Sequence, residues 1–332
     1  MALFVAKDVV TAKKEIDYSM IKYLIILLDR KSASFCHYPE PAGDHRLIDG
    51  DTLHRAIRFA MTRNLSVQVV YPHYEVPDEL KALIETVDSC RIVPVDIADG
   101  SADVVVVDGW DFDKAKQLCK PTTVRLGKKD FFARSAELMS LLEAVPRVNV
   151  VITDVHTFTD TDFKAYEQAL SVLGKMVAEA FLKGVQVSCN LLTDRMMLKK
   201  MNNCGAGDES ITLSPEGKFY VCPAFYYDDE SQSVGSIEDG EVNIKNAYLF
   251  SLKHAPICQH CDAWQCKRCV WLNRLTTREV NTPGHEQCVA SHIEREATRQ
   301  VLEVLNDQGD FAFQSEIPKL DYNDPFENRK AW

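Results

Sequence analysis

The sequence has no surplus of basic residues. Its 332 residues include 38 lysines and arginines against 49 aspartates and glutamates, which gives a net charge of -11. Proteins whose main task is to bind nucleic acid neutralise phosphates with clustered lysine and arginine. The charge balance therefore argues against a nucleic-acid partner.

The sequence also lacks a hydrophobic run long enough to span a membrane, because its apolar stretches have the length of strands. No signal peptide is visible, because charged residues interrupt the first stretch: Lys7, Lys13, Lys14 and Glu15. We therefore expect a cytoplasmic protein that does not associate with membranes. In that compartment the eleven cysteines are not expected to form disulfides, so a local concentration of them indicates metal binding or redox chemistry.

Short β-branched runs alternate with amphipathic segments in the first 200 residues. This pattern is typical of β/α units around a parallel sheet or barrel, and the runs are apolar on both faces, like strands that are covered on two sides. Strands are predicted over residues 23–28, 66–71, 91–97, 103–107, 122–126, 149–153 and 185–189. Helices are predicted over residues 51–63, from Pro77 onward, and near 112–119, 130–144, 160–183 and 191–203, with Asp51 as the cap of the first.

These elements predict an α/β fold with three parts. Residues 1–203 form a partial (β/α) barrel, residues 204–310 form a cysteine-rich domain that ends in a helix over 290–305, and residues 311–332 form a loosely ordered tail. We find no repeat of fixed long period and no low-complexity linker. The cysteine-rich domain is therefore expected to pack directly on the barrel.

Seven cysteines between residues 204 and 288 form a dense group, while four others are scattered before residue 200. They include two CxxC pairs, and a CxxC turn places two thiolates on one side of a tight loop, which suits a zinc ion or one corner of an iron-sulfur cluster. A hairpin around Gly217, over residues 211–213 and 218–221, would return Cys222 beside Cys204. The predicted metal ligands are Cys204, Cys222, Cys258, Cys261, Cys266, Cys269 and Cys288.

Zinc and iron are both open choices for this group. Four thiolates would close one zinc site, and the three that remain would need a histidine to complete a second. The histidines that could serve are His254, His260, His285 and His292.

The runs CGAGDESITLSPEGKFYVCPAF and CQHCDAWQCKRCVWLN, with the late Cys288, resemble the SPASM domain, the auxiliary cluster-binding extension of radical SAM enzymes that mature peptides. All seven family cysteines have a counterpart here, although one residue fewer separates Cys261 from Cys266 and Cys266 from Cys269. The resemblance implies two [4Fe-4S] clusters. One, with an open iron, would be held by Cys204, Cys222 and Cys269, and the other by Cys258, Cys261, Cys266 and Cys288.

The CxxxCxxC motif of radical SAM enzymes, whose three thiolates leave one iron for SAM, is missing from the loop after the first strand. There Ser32, Cys36 and Pro39 align with the three ligand positions, and the glycine-rich stretch expected after the second strand reads YPHYE at residues 71–75. Cys36 is therefore the one cofactor-binding candidate of that loop, and the interpretation that we favour is an ordinary cysteine. We expect no SAM cleavage by this chain alone.

A radical-SAM-like barrel without its triad, joined to a SPASM-like tail, resembles the CXXX repeat peptide maturase family. The likeness extends from SFCHY at residues 34–38 to VNTPGHEQC at residues 280–288. It implies that the chain helps to mature a ribosomally synthesised peptide with cysteine-containing repeats, as a catalytic or accessory protein beside a true radical SAM enzyme.

Two other functions are open. In the first, the metal only folds the tail, and the protein is a scaffold that docks the peptide and a partner enzyme. In the second, it is an independent enzyme that uses residues at the strand ends, although such residues are more often helix caps or loop residues. The candidates are Asp29, His37, Asp108, Asp154 and His156.

Overall fold

A sheet of ten strands forms the centre of the molecule in the computed structural model, which describes residues 21–39, 41, 43–308, 316–320 and 324–326. The first six strands pair in parallel in the order of the sequence. The strands are β1 (Tyr23–Leu27), β2 (Ser66–Val70), β3 (Ser89–Pro94), β4 (Val104–Asp108), β5 (Thr122–Leu126), β6 (Val148–Ile152), β7 (Ser210–Leu213), β8 (Lys218–Tyr220), β9 (Gly235–Ser236) and β10 (Glu241–Val242). Most of the predicted tail over 311–332 lies outside the described residues.

Helices connect the parallel strands, which is the arrangement that the alternating sequence predicts. The predicted α/β fold with a partial β/α barrel is confirmed. The helices are α1 (Gly50–Thr62), α2 (Asp78–Ile84), α3 (Asp113–Leu118), α4 (Lys128–Arg134), α5 (Met139–Leu142), α6 (Asp160–Leu182), α7 (Asp194–Met197), α8 (Pro223–Asp228), α9 (Val270–Thr277) and α10 (His285–Gln308). No helix of the described residues has both the length and the apolar character needed to cross a bilayer.

The cap of α1 differs from the prediction. Asp49, not Asp51, is the N-cap, and its carboxylate accepts a hydrogen bond of 2.8 Å from the backbone N–H of Thr52. Asp49 has the extended backbone that an N-cap needs, whereas Asp51 already lies in the first helical turn. The prediction placed the N-cap of α1 two residues too far along the chain.

The longest two helices, α6 and α10, pack on each other at a glycine. A Cβ atom added to Gly174 of α6 would lie 3.0 Å from Val301 Cγ2 of α10. Thr159 caps α6 in a capping box with Asp162. Since α10 begins at His285, earlier than the predicted 290, Cys288 lies in its first turn.

Two predicted elements are absent. Residues 185–189 do not form a strand, because only Cys189 bridges the sheet, opposite Val148. Residues 191–203 contain only the single turn of α7, since Leu198 at its end has an extended backbone. Arg147 binds the Asp194 carboxylate in that turn through two hydrogen bonds of 2.8 Å, so a tertiary contact fixes the segment.

The sheet continues across residue 203. Strand β7 pairs in parallel with β1, and the antiparallel strands β8, β9 and β10 extend the sheet from there. The hairpin predicted around Gly217 is confirmed, since β7 and β8 pair and Gly217 has a φ of +76° in the turn. The division of the chain at residue 203 stays a prediction.

Candidate metal centres

The seven cysteines predicted as ligands surround two separate cavities. Cys204, Cys222 and Cys269 line a cavity of about 210 Å³. The other cavity has about 490 Å³ and is lined by Cys258, Cys261, Cys266 and Cys288. We call these the first and the second cysteine cavity. Their membership is the division that the SPASM resemblance implies, and ligation of metal by these residues stays a prediction.

Local backbone structure builds the second cysteine cavity. Cys258 lies in a short 3-10 turn, Cys266 lies in the loop before α9, and Cys288 projects from the first turn of α10. The backbone N–H of Ala263 points at the sulfur of Cys261 at 3.4 Å, and the N–H of Arg268 points at that of Cys266 at the same distance. Such N–H groups stabilise thiolates, so these turns suit metal binding.

A buried ion cluster fastens the cysteine loop to α10. Arg295 donates two hydrogen bonds of 2.7 and 2.6 Å to the Asp262 carboxylate, and Arg195 lies 3.5 Å from it. Burial opposes the charge of Asp262, but the two arginines hold the pKa of this carboxyl below its usual range. Asp262 lies next to Cys261, so the cluster fixes the orientation of that cysteine.

Burial and mutual repulsion favour the neutral thiols in the second cavity. Burial raises the pKa of Cys258 to about 12 and that of Cys261 to about 11, with further contributions from neighbouring thiols. Thiolates are the metal-binding form, so a bound cation would have to displace these protons. Four thiolates in one pocket need such a positive charge to be stable together.

The first cysteine cavity assembles residues from distant elements. Cys204 precedes β7, Cys222 precedes α8, and Cys269 precedes α9. Burial and, to a lesser degree, the nearby thiol of Cys204 raise the pKa of Cys269 to about 12. The hairpin of β7 and β8 brings Cys222 back to Cys204, as the sequence predicts.

Of the four histidines considered for a zinc site, two line the second cysteine cavity and none lines the first. His260 and His292 line the second cavity, which already has four cysteines, and His292 Nε2 lies 3.6 Å from Cys261 Sγ. His285 binds Asp324 at 2.6 Å, and the ring of His254 stacks edge-on against a tyrosine. None of the four lines the first cavity, where the Cys3His alternative requires one.

No three side chains of cysteine, histidine, aspartate or glutamate, among the residues described, converge closely enough to ligate one metal ion. Zinc with Zn–S bonds of about 2.3 Å would hold its sulfurs roughly 3.8 Å apart. The cysteines instead surround hollow spaces. The identity of any metal group in these spaces stays a prediction.

No protein-family model matches the chain, and no curated protein matches it in sequence. Solved structures do match. Native anSMEcpe with bound AdoMet and Kp18Cys peptide has a TM-score of 0.60 at 13% identity, over 86% of this chain and 99% of that one. The same protein with AdoMet and Cp18Cys peptide has a TM-score of 0.59 at 13% identity over the same shares, and with AdoMet alone 0.58 at 12%.

The chain shares the fold of these structures. The loop after β1 is where the sequence resemblance places the three ligand positions of the CxxxCxxC motif. Of the three aligned positions, Ser32 is fully buried and its hydroxyl donates to the carbonyl of Val70 at 2.9 Å. The backbone N–H of Asp29 donates to the same hydroxyl at 3.0 Å. Ser32 is thus committed to the backbone, and Pro39 has no donor atom in its side chain.

Cys36 is half-buried and packs against the core, and its role stays a prediction. Cys36 lines the first cysteine cavity together with Cys204, Cys222 and Cys269. Burial raises the pKa of the Cys36 thiol well above its usual value, and the thiols of Cys269 and Cys204 raise it further. Sequence reasoning missed this grouping because residue 36 is far from the other three along the chain.

Arg125 of β5 is a site residue that the sequence analysis did not select. It is 4% exposed and donates to the backbone carbonyls of Cys36 at 3.1 Å and Tyr38 at 2.7 Å. It also binds Asp108 at 2.6 Å. The signal was present, because an arginine inside the predicted buried strand TTVRL needs buried acceptors.

The residues considered for independent catalysis are engaged in separate contacts. Asp29 accepts from the hydroxyl of Tyr74 at 2.9 Å and lies 3.1 Å from His45. Asp154 accepts from the backbone N–H of Lys128, next to α4. The structure brings three of the five candidates together, because His37, Asp108 and His156 line one cavity of about 630 Å³.

Proposed function

We propose that the protein is a carrier of two [4Fe-4S] clusters that matures, or helps to mature, a ribosomally synthesised peptide with cysteine-containing repeats, together with a radical SAM enzyme. The observation that carries this proposal is the grouping of the seven predicted ligands around two cavities within a radical-SAM-type fold. The specific substrate rests on the family resemblance of the sequence.

The cysteines present fit such clusters. A cubane cluster is held by cysteine thiolates, and the second cavity supplies four of them around a hollow space. The N–H groups that face Cys261 and Cys266 would stabilise bound thiolates. The ion cluster of Asp262 and Arg295 would hold the loop in place as the ligands lose their protons. When bound, the clusters would supply an electron relay or an anchor for substrate thiolates.

The loop after β1 supports the need for a partner enzyme. One thiol, that of Cys36, remains where three would be needed, since Ser32 binds the backbone of Val70. Asp29, Tyr74 and His45 bind one another nearby. Reductive cleavage of SAM is then the task of a separate radical SAM enzyme.

A cleft beside the first cysteine cavity is suited to a peptide. The cavity of about 630 Å³ is lined by His37, Asp108 and Asp130, and the half-exposed Leu275 adds an apolar contact. Trp271 lines both this cleft and the first cysteine cavity, so a bound peptide would lie next to the cysteines. The similar protein anSMEcpe binds Kp18Cys peptide, and we infer a peptide ligand for this chain as well.

The proposal is tested by metal analysis of protein purified without oxygen. We expect about eight irons and as many sulfides per chain, since each [4Fe-4S] cluster contributes four of each. Zinc in place of iron, in a protein that stays folded, would refute the cluster-carrying function. Incubation with SAM and a strong reductant should yield no 5'-deoxyadenosine from this chain alone. Formation of 5'-deoxyadenosine by the purified chain would refute the need for a partner.

A scaffold is the second candidate. It is favoured because polar groups near the loop after β1 bind one another. There Arg30 binds Glu216 at 3.2 Å, and Tyr226 binds the same carboxylate at 3.0 Å, so these groups already have partners. A Cys269→Ser variant separates the two functions in a pull-down with the precursor peptide. If the variant still binds peptide but no longer supports modification, the cluster acts in the reaction. If modification continues, the protein is a scaffold.

A further inference from the structure

Cys36 belongs to the first cysteine cavity. We propose that Cys36 is the fourth ligand of the metal group that Cys204, Cys222 and Cys269 hold. The inference rests on the proposed function only in that this cavity holds a metal group. Neither the SPASM resemblance, which implies three ligands and an open iron, nor the position of Cys36 in the loop after β1 assigns it this role.

The first argument is the geometry of the cavity. Four cysteines from four different parts of the chain line one space of about 210 Å³. Cys36 is half-buried there and packs against the hydrophobic core. Thiols gathered in this way repel one another once ionised, unless a cation lies among them.

The second argument is that the structure holds Cys36 in place. Arg125 donates to the carbonyls of Cys36 and Tyr38. The ring of Tyr38 stacks on Tyr227 with centroids 5.4 Å apart, and the Ser34 hydroxyl donates to the carbonyl of Pro39 at 2.9 Å. These contacts fix the loop on both sides of Cys36. A side chain on so constrained a loop is a suitable ligand, because little conformational entropy remains to be lost on binding.

His37 is the competing fourth ligand, since it also lines this cavity. Its Nδ1 lies 3.1 Å from the carbonyl oxygen of Ile152, so Nδ1 carries the proton and donates it. This hydrogen bond leaves Nε2 of His37 as its possible ligand atom. We prefer Cys36 because iron-sulfur clusters are held by cysteine thiolates, and the variants below compare the two residues.

Ligation by Cys36 would change the character of the centre. The cluster would have four cysteine ligands and no iron open to a substrate thiolate, contrary to the implication of the SPASM resemblance. It would also connect the loop after β1 to the elements that follow β7. A peptide in the cleft beside His37 would then lie near a closed cluster.

The test that needs no variant is thiol alkylation followed by mass spectrometry, on metal-loaded and metal-free protein. We expect metal loading to slow the alkylation of Cys36 roughly tenfold or more, in parallel with Cys222 and Cys269, because a bound thiolate does not react. Cys90 is the matched control, since it is also half-buried and lines neither cysteine cavity. Equal protection of Cys36 and Cys90 would overturn the proposal.

Variants give the second readout, which is the electron paramagnetic resonance spectrum of the reduced protein. Cys36→Ser should shift the signal of one of the two clusters and leave the other unchanged, whereas Cys90→Ser should change neither. If His37→Asn shifts the signal and Cys36→Ser does not, His37 is the ligand and the proposal is wrong.

The outcomes separate this inference from the proposed function. Protein that takes up zinc with Cys36 protected would support Cys36 as a ligand while refuting the iron-sulfur function. Protein that carries iron clusters with Cys36 as reactive as Cys90 would refute only the present inference. Protein that binds no metal in any preparation would refute both.

Discussion

The two cysteine cavities are assembled in different ways. The second takes its four cysteines from residues 258–288, within two turns and the start of α10. The first takes three from positions 204, 222 and 269, and lies against Cys36 from the other end of the chain. A local segment can be recognised from spacing, whereas the first cavity exists only because β7 pairs with β1.

This difference has energetic consequences. The second cavity depends on local turns and on one ion cluster, that of Asp262 with Arg295 and Arg195. The first depends on correct pairing of the sheet and on Arg125, which fixes the loop of Cys36. Damage to the sheet should therefore affect the first cavity more than the second.

The largest expected effect is the loss of metal from one cavity at a time. Cys266→Ser should remove the metal of the second cavity, and Cys222→Ser that of the first, since the two cavities share no lining residue. Each variant should retain about half of the iron of the unmodified protein. The iron content is measured by metal analysis, and the remaining cluster by its electron paramagnetic resonance spectrum. Cys119→Ser, at an exposed cysteine, is the control. Complete loss in either variant would show that the cavities depend on each other.

The next effect concerns the ion cluster of the second cavity. Asp262→Ala leaves two arginines that are each 1% exposed without their carboxylate. Breaking a buried pair in this way costs about 3–5 kcal/mol of stability. Urea unfolding should show a lower midpoint, and the exposed Asp239→Ala should not. An unchanged midpoint for Asp262→Ala would mean that the cluster does not stabilise the loop.

A more local effect is expected at Arg125, because it should be confined to the first cavity. Arg125→Met removes charged hydrogen bonds to the carbonyls of Cys36 and Tyr38, each worth about 1.5–3 kcal/mol. The first cavity should lose metal faster to a chelator, while the second keeps its rate. Arg58→Met, on the exposed face of α1, is the control. If the variant lost metal to the chelator equally fast from both cavities, Arg125 would not act on the first cavity alone.

The smallest effect is expected at His292. This ring lies 3.6 Å from the Cys261 sulfur, and burial lowers its pKa to about 4, so it is neutral near pH 7. Four cysteines already line the cavity. His292→Asn should therefore leave the metal content unchanged, as metal analysis can measure. Loss of metal from the second cavity would indicate a Cys3His zinc site instead.

The helices and strands were predicted well from the sequence where they consist of buried apolar residues. The six parallel strands are rich in valine, isoleucine and leucine, so their pattern marks them without knowledge of their neighbours. The prediction of secondary structure failed over residues 185–189 and 191–203, where polar tertiary contacts determine the backbone. Asp194 binds Arg147, and Arg195 donates to the carbonyl of Asp262 at 2.6 Å, so a pattern of apolar residues alone misplaced a helix there.

By itself, the sequence determined the alternation of strands and helices, the hairpin at Gly217 and the spacing of the CxxC pairs. These features depend on propensity and on neighbours a few residues away. Tertiary structure alone decided that Cys36 lies beside Cys204, Cys222 and Cys269, and that Arg125 holds its loop. Contacts between residues so distant along the chain depend on which strands pair, and the local pattern does not contain that information.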